Sequence, residues 1–312
     1  TNSSDSSGLI DTPPQYCYSF GVSRVEDNVV RTLYRFLGIA LAISLSTSCS
    51  SSKGGVDANI PDGERYSLAM KKLLDDDFIQ SSKKFEALSS STLNPVLSQL
   101  ATLRTADSLF MQGRYSEAAE VYREFLVQFS NSPDVPHAGY MRGLCFFNKM
   151  PSSSWILPPA ESREMADVEN AYISFTTVVD QYPNSFYALR ARSMLMKTVR
   201  RKAEQHLYVA RWYSKNDKPM AVIQRLEQVI ALEEREKKAR HIPDSFVVAA
   251  THDNLMMLGE AYFEAGKMEG LTWLKTFYHD HRDHYPKKAE KGLAKLDSMI
   301  QRLKARSSGK TP

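Results

Sequence analysis

Three histidines and two aspartates crowd one short stretch near the end of the chain: His279, Asp280, His281, Asp283 and His284. Imidazole nitrogens and carboxylate oxygens are the ligands that Zn²⁺ takes. On a helix, His281 and His284 share a face at i, i+3, while His279 points elsewhere. Two imidazoles and a carboxylate could hold the ion if a further ligand came from another helix. The competing reading is a polar last turn before Pro286, in which the histidines complement the helix dipole. On that reading, which is the one adopted, the chain holds no metal and needs no cofactor. Other chemistry has no carrier. There is no glycine-rich phosphate loop, no Gly-x-Ser-x-Gly elbow, no His-Glu-x-x-His, and no carboxylate pair in a motif context. A binding protein rather than an enzyme is expected.

A second cluster is basic: Arg190, Arg192, Lys197, Arg200, Arg201 and Lys202. At helical spacing Arg190, Lys197 and Arg201 share a face. That face is either solvated or a docking surface for an acidic partner domain. With a net charge of only +4 and both signs interspersed, the surface is mixed and does not fit a nucleic-acid partner. The three cysteines, Cys17, Cys49 and Cys145, are too few and scattered for a disulfide framework. Cys145, between Leu144 and Phe146, reads as an inert buried thiol.

Cys49 has a different setting. Arg31 and Arg35 precede an apolar run of ten residues, Phe36 to Leu45, followed by Ser46, Thr47, Ser48 and Cys49. The run is short of the roughly 20 residues that span a bilayer and suits a signal-peptide core. The small residues ending in cysteine resemble a bacterial lipobox, with Leu45 four residues before the cysteine rather than the usual three. Residues 31–48 are therefore expected to be a lipoprotein signal, with Cys49 the lipidated first residue of the mature chain. Residues 1–30, rich in Ser and Asp, are expected to be disordered or to lie upstream of a translation start near Val29 or Val30. Residues 49–63 read as a flexible polar tether.

From Glu64 onward the apolar residues recur at a 3.6-residue period. Breaks fall at Asp75–Asp77, Asn94-Pro95, Gly113, Asn131–Pro136, Pro151–Pro159, Tyr182–Asn184, Asn216–Pro219, Ile242-Pro243, Gly266 and Tyr285-Pro286. Helix pairs between these breaks repeat at about 34 residues, the period of tetratricopeptide (TPR) arrays. Leu255-x-x-Leu258-Gly259-x-x-Tyr262 fits the first helix of such a unit. Gly113-x-Tyr115-x-x-Ala118-x-x-x-Tyr122-x-x-Phe125 fits the turn and second helix. Gly143 and Phe146, then Ala171, Phe175, Val178 and Pro183, form a third unit, split by an insertion over about 151–169. That insertion carries Trp155-Ile156-Leu157-Pro158-Pro159, which either folds back on the repeats or meets a partner. Tyr66, Ala69, Leu73, Phe78 and Phe85 mark a degenerate first unit, and Tyr213, Val222, Leu226 and Val229 a fourth. Residues 289–304, with Leu293, Leu296, Ile300 and Leu303 on one face, cap the array. The expected fold is an all-α TPR solenoid of about five helix pairs over 64–304, with a disordered tail at 305–312.

Several local runs resemble one family, the outer-membrane protein assembly lipoprotein BamD (ComL-type). They are His137-Ala138-Gly139-Tyr140-Met141-Arg142-Gly143-Leu144, Ala171 to Tyr187, and Ala210-x-x-Tyr213 with Ala221-Val222-x-x-Arg225-Leu226-Glu227. The resemblance implies a scaffold lipid-anchored on the periplasmic face of the outer membrane. It implies a place in the β-barrel assembly machinery, where the later repeats dock a POTRA domain of a BamA-like subunit. An arginine of that contact falls at Arg225. Unfolded outer-membrane β-barrel proteins are the implied clients, their C-terminal strand received by the early repeats. The weak first repeat and the long connection over 235–250 depart from the family pattern. Two other readings are another periplasmic TPR adaptor in envelope or division processes, and a metal-dependent enzyme built on His279–His284.

Overall fold

A computed structural model describes residues 60–150 and 165–308. Eleven helices cross the described residues: α1 (Asp62–Leu74), α2 (Phe78–Ser91), α3 (Pro95–Met111), α4 (Tyr115–Gln128), α5 (Val135–Lys149), α6 (Ala166–Gln181), α7 (Phe186–Lys215), α8 (Pro219–Lys238), α9 (His252–Glu264), α10 (Met268–Asp280) and α11 (Ala289–Ser307). Each packs against the next. They form five pairs, α1–α2 to α9–α10, closed by α11. The all-α TPR solenoid expected from the sequence is the fold observed.

The turn inside the repeat is made the same way four times. Asp76, Gly113, Asp217 and Gly266 adopt left-handed backbone angles, with φ of 58°, 75°, 52° and 68°. The following amide then reaches back five residues to close the helix end: Asp77 N to Lys72 O at 2.9 Å, Arg114 N to Leu109 O at 3.1 Å, Lys218 N to Tyr213 O at 3.1 Å and Lys267 N to Tyr262 O at 2.9 Å. Between repeats, side chains cap the incoming helix. Asn94 Oδ1 accepts from the amides of Val96 and Leu97, Ser185 Oγ from Ala188, and Thr251 Oγ1 from Asn254.

First helices of neighbouring repeats approach one another (α1 to α3, α5 to α7, α7 to α9, α9 to α11). Among the described residues no pair of second helices does so comparably, so the first helices form the inner wall and the second helices splay outward. Small residues set the crossings. A Cβ on Gly143 would stand 2.5 Å from the Phe175 ring, and one on Gly270 2.5 Å from Tyr262. Gly292 of α11 lies under Tyr278 in the same way. The rings of Phe175 and Tyr278 are wholly buried.

Three boundaries differ from the sequence expectation. α1 begins at Asp62, inside the predicted tether. α6 begins at Ala166 rather than after Glu169, because Val168 is buried and Asp167 pairs with Lys149 at 2.9 Å. α11 runs to Ser307, three residues into the predicted tail, because the guanidinium groups of Arg302 and Arg306 lie 5.0 and 4.5 Å over the Phe263 ring.

The long connection from α8 to α9 is seated by buried charge. Glu233 Oε2 accepts from the amides of Val248 and Ala249 at 2.8 and 2.7 Å, and its other oxygen takes Lys237 Nζ at 2.8 Å. One turn on, Glu236 (1% exposed) accepts from Tyr172 Oη at 2.7 Å and Arg235 Nε at 3.0 Å. His241 Nδ1 lies 2.7 Å from the other Glu236 oxygen, and its Nε2 lies 2.7 Å from Asp180 Oδ1. An imidazole bonded to a carboxylate at each nitrogen is held as imidazolium. Burial opposes that charge, yet the bonds to Glu236 and Asp180 raise the His241 pKa above its ordinary 6.5. For Glu236 burial likewise opposes the charge, and its bonds from Tyr172, His241 and Arg235 lower its pKa below 4.5.

Two outcomes follow from this packing. Gly143→Val is expected to lose about 1–3 kcal/mol in urea unfolding by driving into the Phe175 ring, whereas Gly63→Ala, whose Cβ meets nothing within 4 Å, is expected to be neutral or stabilising. His241→Phe leaves the second oxygen of buried Glu236 without its partner and is expected to cost about 2–4 kcal/mol. The His241 contribution is fully present below pH 6.5 and is lost as pH rises through the raised imidazole value. The gap between wild type and His241→Phe, followed by thermal melts from pH 5.5 to 9, should therefore shrink as pH rises.

Candidate partner-docking site

Repeat 4 contains the longest helix, α7 at 30 residues, packed against the 20-residue α8. Leu195, Val199, Ala203, Leu207 and Ala210 bury one stripe of α7, and Val222, Leu226 and Val229 bury the facing stripe of α8. Polar residues beside these stripes are held at the rim of the interface. Arg225 is one of them.

The Arg225 guanidinium is half-buried. Its Nη1 lies 3.4 Å from His206 Nδ1 on α7 and 3.5 Å from Gln228 Oε1 on α8. Both contacts are long, and among the described residues no carboxylate forms an ion pair with it. The pKa of His206 is lowered by burial and by the positive charges of Arg225 and Lys202, so its imidazole is neutral near pH 7. A neutral ring and one carboxamide leave the guanidinium with unspent donors and no counter-charge. Chemically, that is a ready site for a carboxylate from another molecule.

The basic residues of α7 meet different partners along the helix. Lys197 is exposed, as is Arg192, and neither has an ion-pair partner among the described residues. Arg190 lies 4.9 Å over the ring of exposed Phe186, beside exposed Leu189. Arg201 is mostly covered, its Nη1 3.7 Å from Glu204 on its own helix. Lys202 is committed inside the chain, to Glu169 at 2.6 Å and over the Tyr172 ring at 4.1 Å. Arg200 lies 5.1 Å over Phe246 in the α8–α9 connection. Arg190 is sixteen residues from His206, about 24 Å along a helix axis. The structure thus brings Lys202, His206 and Arg225 toward one region and leaves Arg190 in another.

The histidine cluster is laid out otherwise than a continuous helix would place it. α10 ends at Asp280, and Arg282–His284 form a separate 3₁₀ turn. His281 stacks on Phe277 at 4.0 Å and its Nδ1 lies 2.8 Å from the Phe277 carbonyl, at the helix end. Arg282 Nη1 reaches His279 Nε2 at 2.8 Å. Among the described residues no group of three or more His, Cys, Asp or Glu is arranged to hold a metal ion. Cys145 is buried, and burial pushes its thiol up to about 12. Cys49 and the Trp155–Pro159 run lie outside the described residues. Among the described residues no helix is long and apolar enough to cross a membrane.

Sequence reasoning missed two features. Trp212 and Met220, each 55% exposed, flank the turn between α7 and α8. Trp273 is exposed and stacks on Phe277 at 5.1 Å. Trp212 falls off the buried 203–207–210 stripe of α7, a signal present in the sequence.

The chain as a whole is similar to known proteins. The outer membrane protein assembly factor BamD of Caulobacter vibrioides is 28% identical over 172 residues, covering 55% of this chain and 50% of that protein. The protein of the same description from Pasteurella multocida is 26% identical over 237 residues, covering 75% of this chain and 85% of that one. Among solved structures, a thermophilic TPR protein of Thermus thermophilus aligns over 77% of this chain and all of that one, at 13% identity and a TM-score of 0.31. A score that low adds nothing to the fold, which stands on the helix pairing itself. A family described as YfiO, outer membrane lipoprotein, matches residues 58–241. That match takes in more than half of the 312 residues, and the chain belongs to the YfiO outer membrane lipoprotein family.

Proposed function

We propose that this protein is a scaffold in the assembly of outer-membrane β-barrel proteins, held at the periplasmic face of the outer membrane by lipid on Cys49. Its relatives are described as outer membrane protein assembly factors. A TPR solenoid works by presenting a rigid surface on which a partner lies, gaining affinity from shape and charge complementarity. On this reading the partner at repeat 4 is a POTRA domain of a BamA-like subunit. Unfolded barrel proteins are the clients, and no bond is made or broken. Arg190, Lys197 and Arg201 are assigned to the wider basic field that attracts the partner, and Arg225 to the contact itself.

The observation that carries the docking assignment is the guanidinium of Arg225, held between a neutral His206 and Gln228 without a carboxylate. A partner carboxylate arriving there completes a charge-assisted pair in a partly desolvated setting, where removing one member costs about 2–5 kcal/mol.

Arg225→Glu is expected to weaken binding of a purified BamA-like POTRA domain by roughly thirtyfold or more. Its melting temperature should stay near wild type, since the residue spans no buried ion pair. Unchanged affinity in calorimetric titration would remove Arg225 from the contact. Cys49→Ala should move the protein from the membrane pellet to the soluble fraction, and retention of the variant in the pellet would reject the anchor.

A further inference from the structure

A second arginine is left without a counter-charge, and it is not in repeat 4. Arg142 lies on α5, in the Tyr140–Leu144 segment, half-buried. Its guanidinium carbon stands 5.2 Å over the Phe146 ring, and its Nε is buried with no hydrogen-bond partner. Among the described residues it forms no ion pair. Two charges that act on it are paired with each other. Glu120 is taken by Arg123, whose Nε lies 3.0 Å from each of its carboxylate oxygens, and Arg123 adds a repelling charge. Burial and that repulsion together push the Arg142 guanidinium pKa down. Arg104 is the contrast. Its Nε is also unpartnered, but Asp107 holds its Nη1 at 2.6 Å. Where this chain covers an arginine for structural reasons, it supplies the carboxylate.

Arg142 lines a cavity of about 230 Å³ between the outward-splayed α4 and α6, floored by α5. The cavity follows from the architecture. The second helices α4 and α6 stand apart here, and Gly139 on the floor carries no side chain because a Cβ there would meet Val178 at 2.8 Å. Leu126, Val135 and Val178 form an aliphatic wall. Ser130 and Gln181, both exposed, line it with donors that have no protein partner among the described residues. The volume falls short of the roughly 300–1,000 Å³ of small-molecule and cofactor sites. It suits a single side chain with a short apolar stem.

We propose that this cavity is a carboxylate-binding site for an acidic residue of an extended protein segment lying between α4 and α6. The carboxylate pairs with the Arg142 guanidinium and accepts from Ser130 and Gln181, while its methylene stem rests on Leu126, Val135 and Val178. It is on the outer side of repeat 3, apart from Arg225, and does not depend on the docking assigned to repeat 4. The shared chemistry is a carboxylate, whether from a Glu side chain or from a chain end.

Three probes titrated into the isotope-labelled mature chain separate the cases: acetyl-Ala-Glu-Ala-amide, acetyl-Ala-Gln-Ala-amide, and acetyl-Ala-Ala-Leu with a free carboxylate. The Arg142 Nε–H resonance is the readout. The Glu probe should shift it saturably, the Gln probe should bind roughly tenfold or more weakly, and Arg142→Gln should abolish the difference. A response confined to the free-carboxylate probe assigns the site to chain ends and keeps the carboxylate chemistry. Equal responses to Glu and Gln probes, or no response to either carboxylate probe, would overturn the proposal. If Arg142→Gln does not fold, the Glu-against-Gln comparison on wild type still decides it.

Discussion

The array rests on one steric constraint: at key crossings an aromatic ring sits where a glycine leaves room. Gly143 takes the ring of Phe175, Gly270 that of Tyr262, and Gly292 that of Tyr278. Interiors are packed close to the density of organic crystals, so a single added carbon at such a point must displace a helix. These pairs fix how near two helices come and how far the next repeat is rotated. The constraint runs to the end of the chain. Gly292 brings α11 onto repeat 5, where Leu296 is fully buried and Ile300 and Leu303 nearly so, covering apolar surface that a sixth repeat would otherwise cover.

Repeat 4 needs more than packing. Its helices are long, and the connection to repeat 5 is an irregular segment with buried amides to satisfy. The chain meets that need with carboxylates from α8. Glu233 takes two backbone amides, and Glu236 gathers Tyr172, Arg235 and His241. Burying such charges is tolerable only because each one is paired. The result ties α6 of repeat 3 to α8 of repeat 4 through Tyr172 and through His241 on Asp180. That tie holds rigid the helix from which Arg225 projects.

Two kinds of cation emerge from this arrangement. Lys202, Lys237 and Arg104 have their carboxylates within the chain and are spent on the fold. Arg225 and Arg142 are partly covered but left uncompensated. A positioned charge that the fold does not use is available for recognition, and the two lie in different repeats.

Much of the architecture was legible from the residues. The 3.6-residue period, the breaks at Gly113, Gly266, Pro219 and Asn94-Pro95, and the small-aromatic spacing of Ala171 and Phe175 all report on neighbours a few positions away, which is why period and turn chemistry alone determined five helix pairs and a cap. The fate of the charges was not legible. Spacing placed Arg190, Lys197 and Arg201 on one face of a helix, but not the partners they meet there: Arg201 turns to Glu204 and Arg190 to Phe186. His281 turns to a helix carbonyl, while His241, which no motif marks, becomes the buried link. Partners such as Tyr172 with Glu236, or His241 with Asp180, lie more than sixty residues apart in the chain. Local pattern records which residues leave water. Only the tertiary structure decides which charges meet a counter-charge and which are left for another molecule, because that depends on helices brought together from distant parts of the chain.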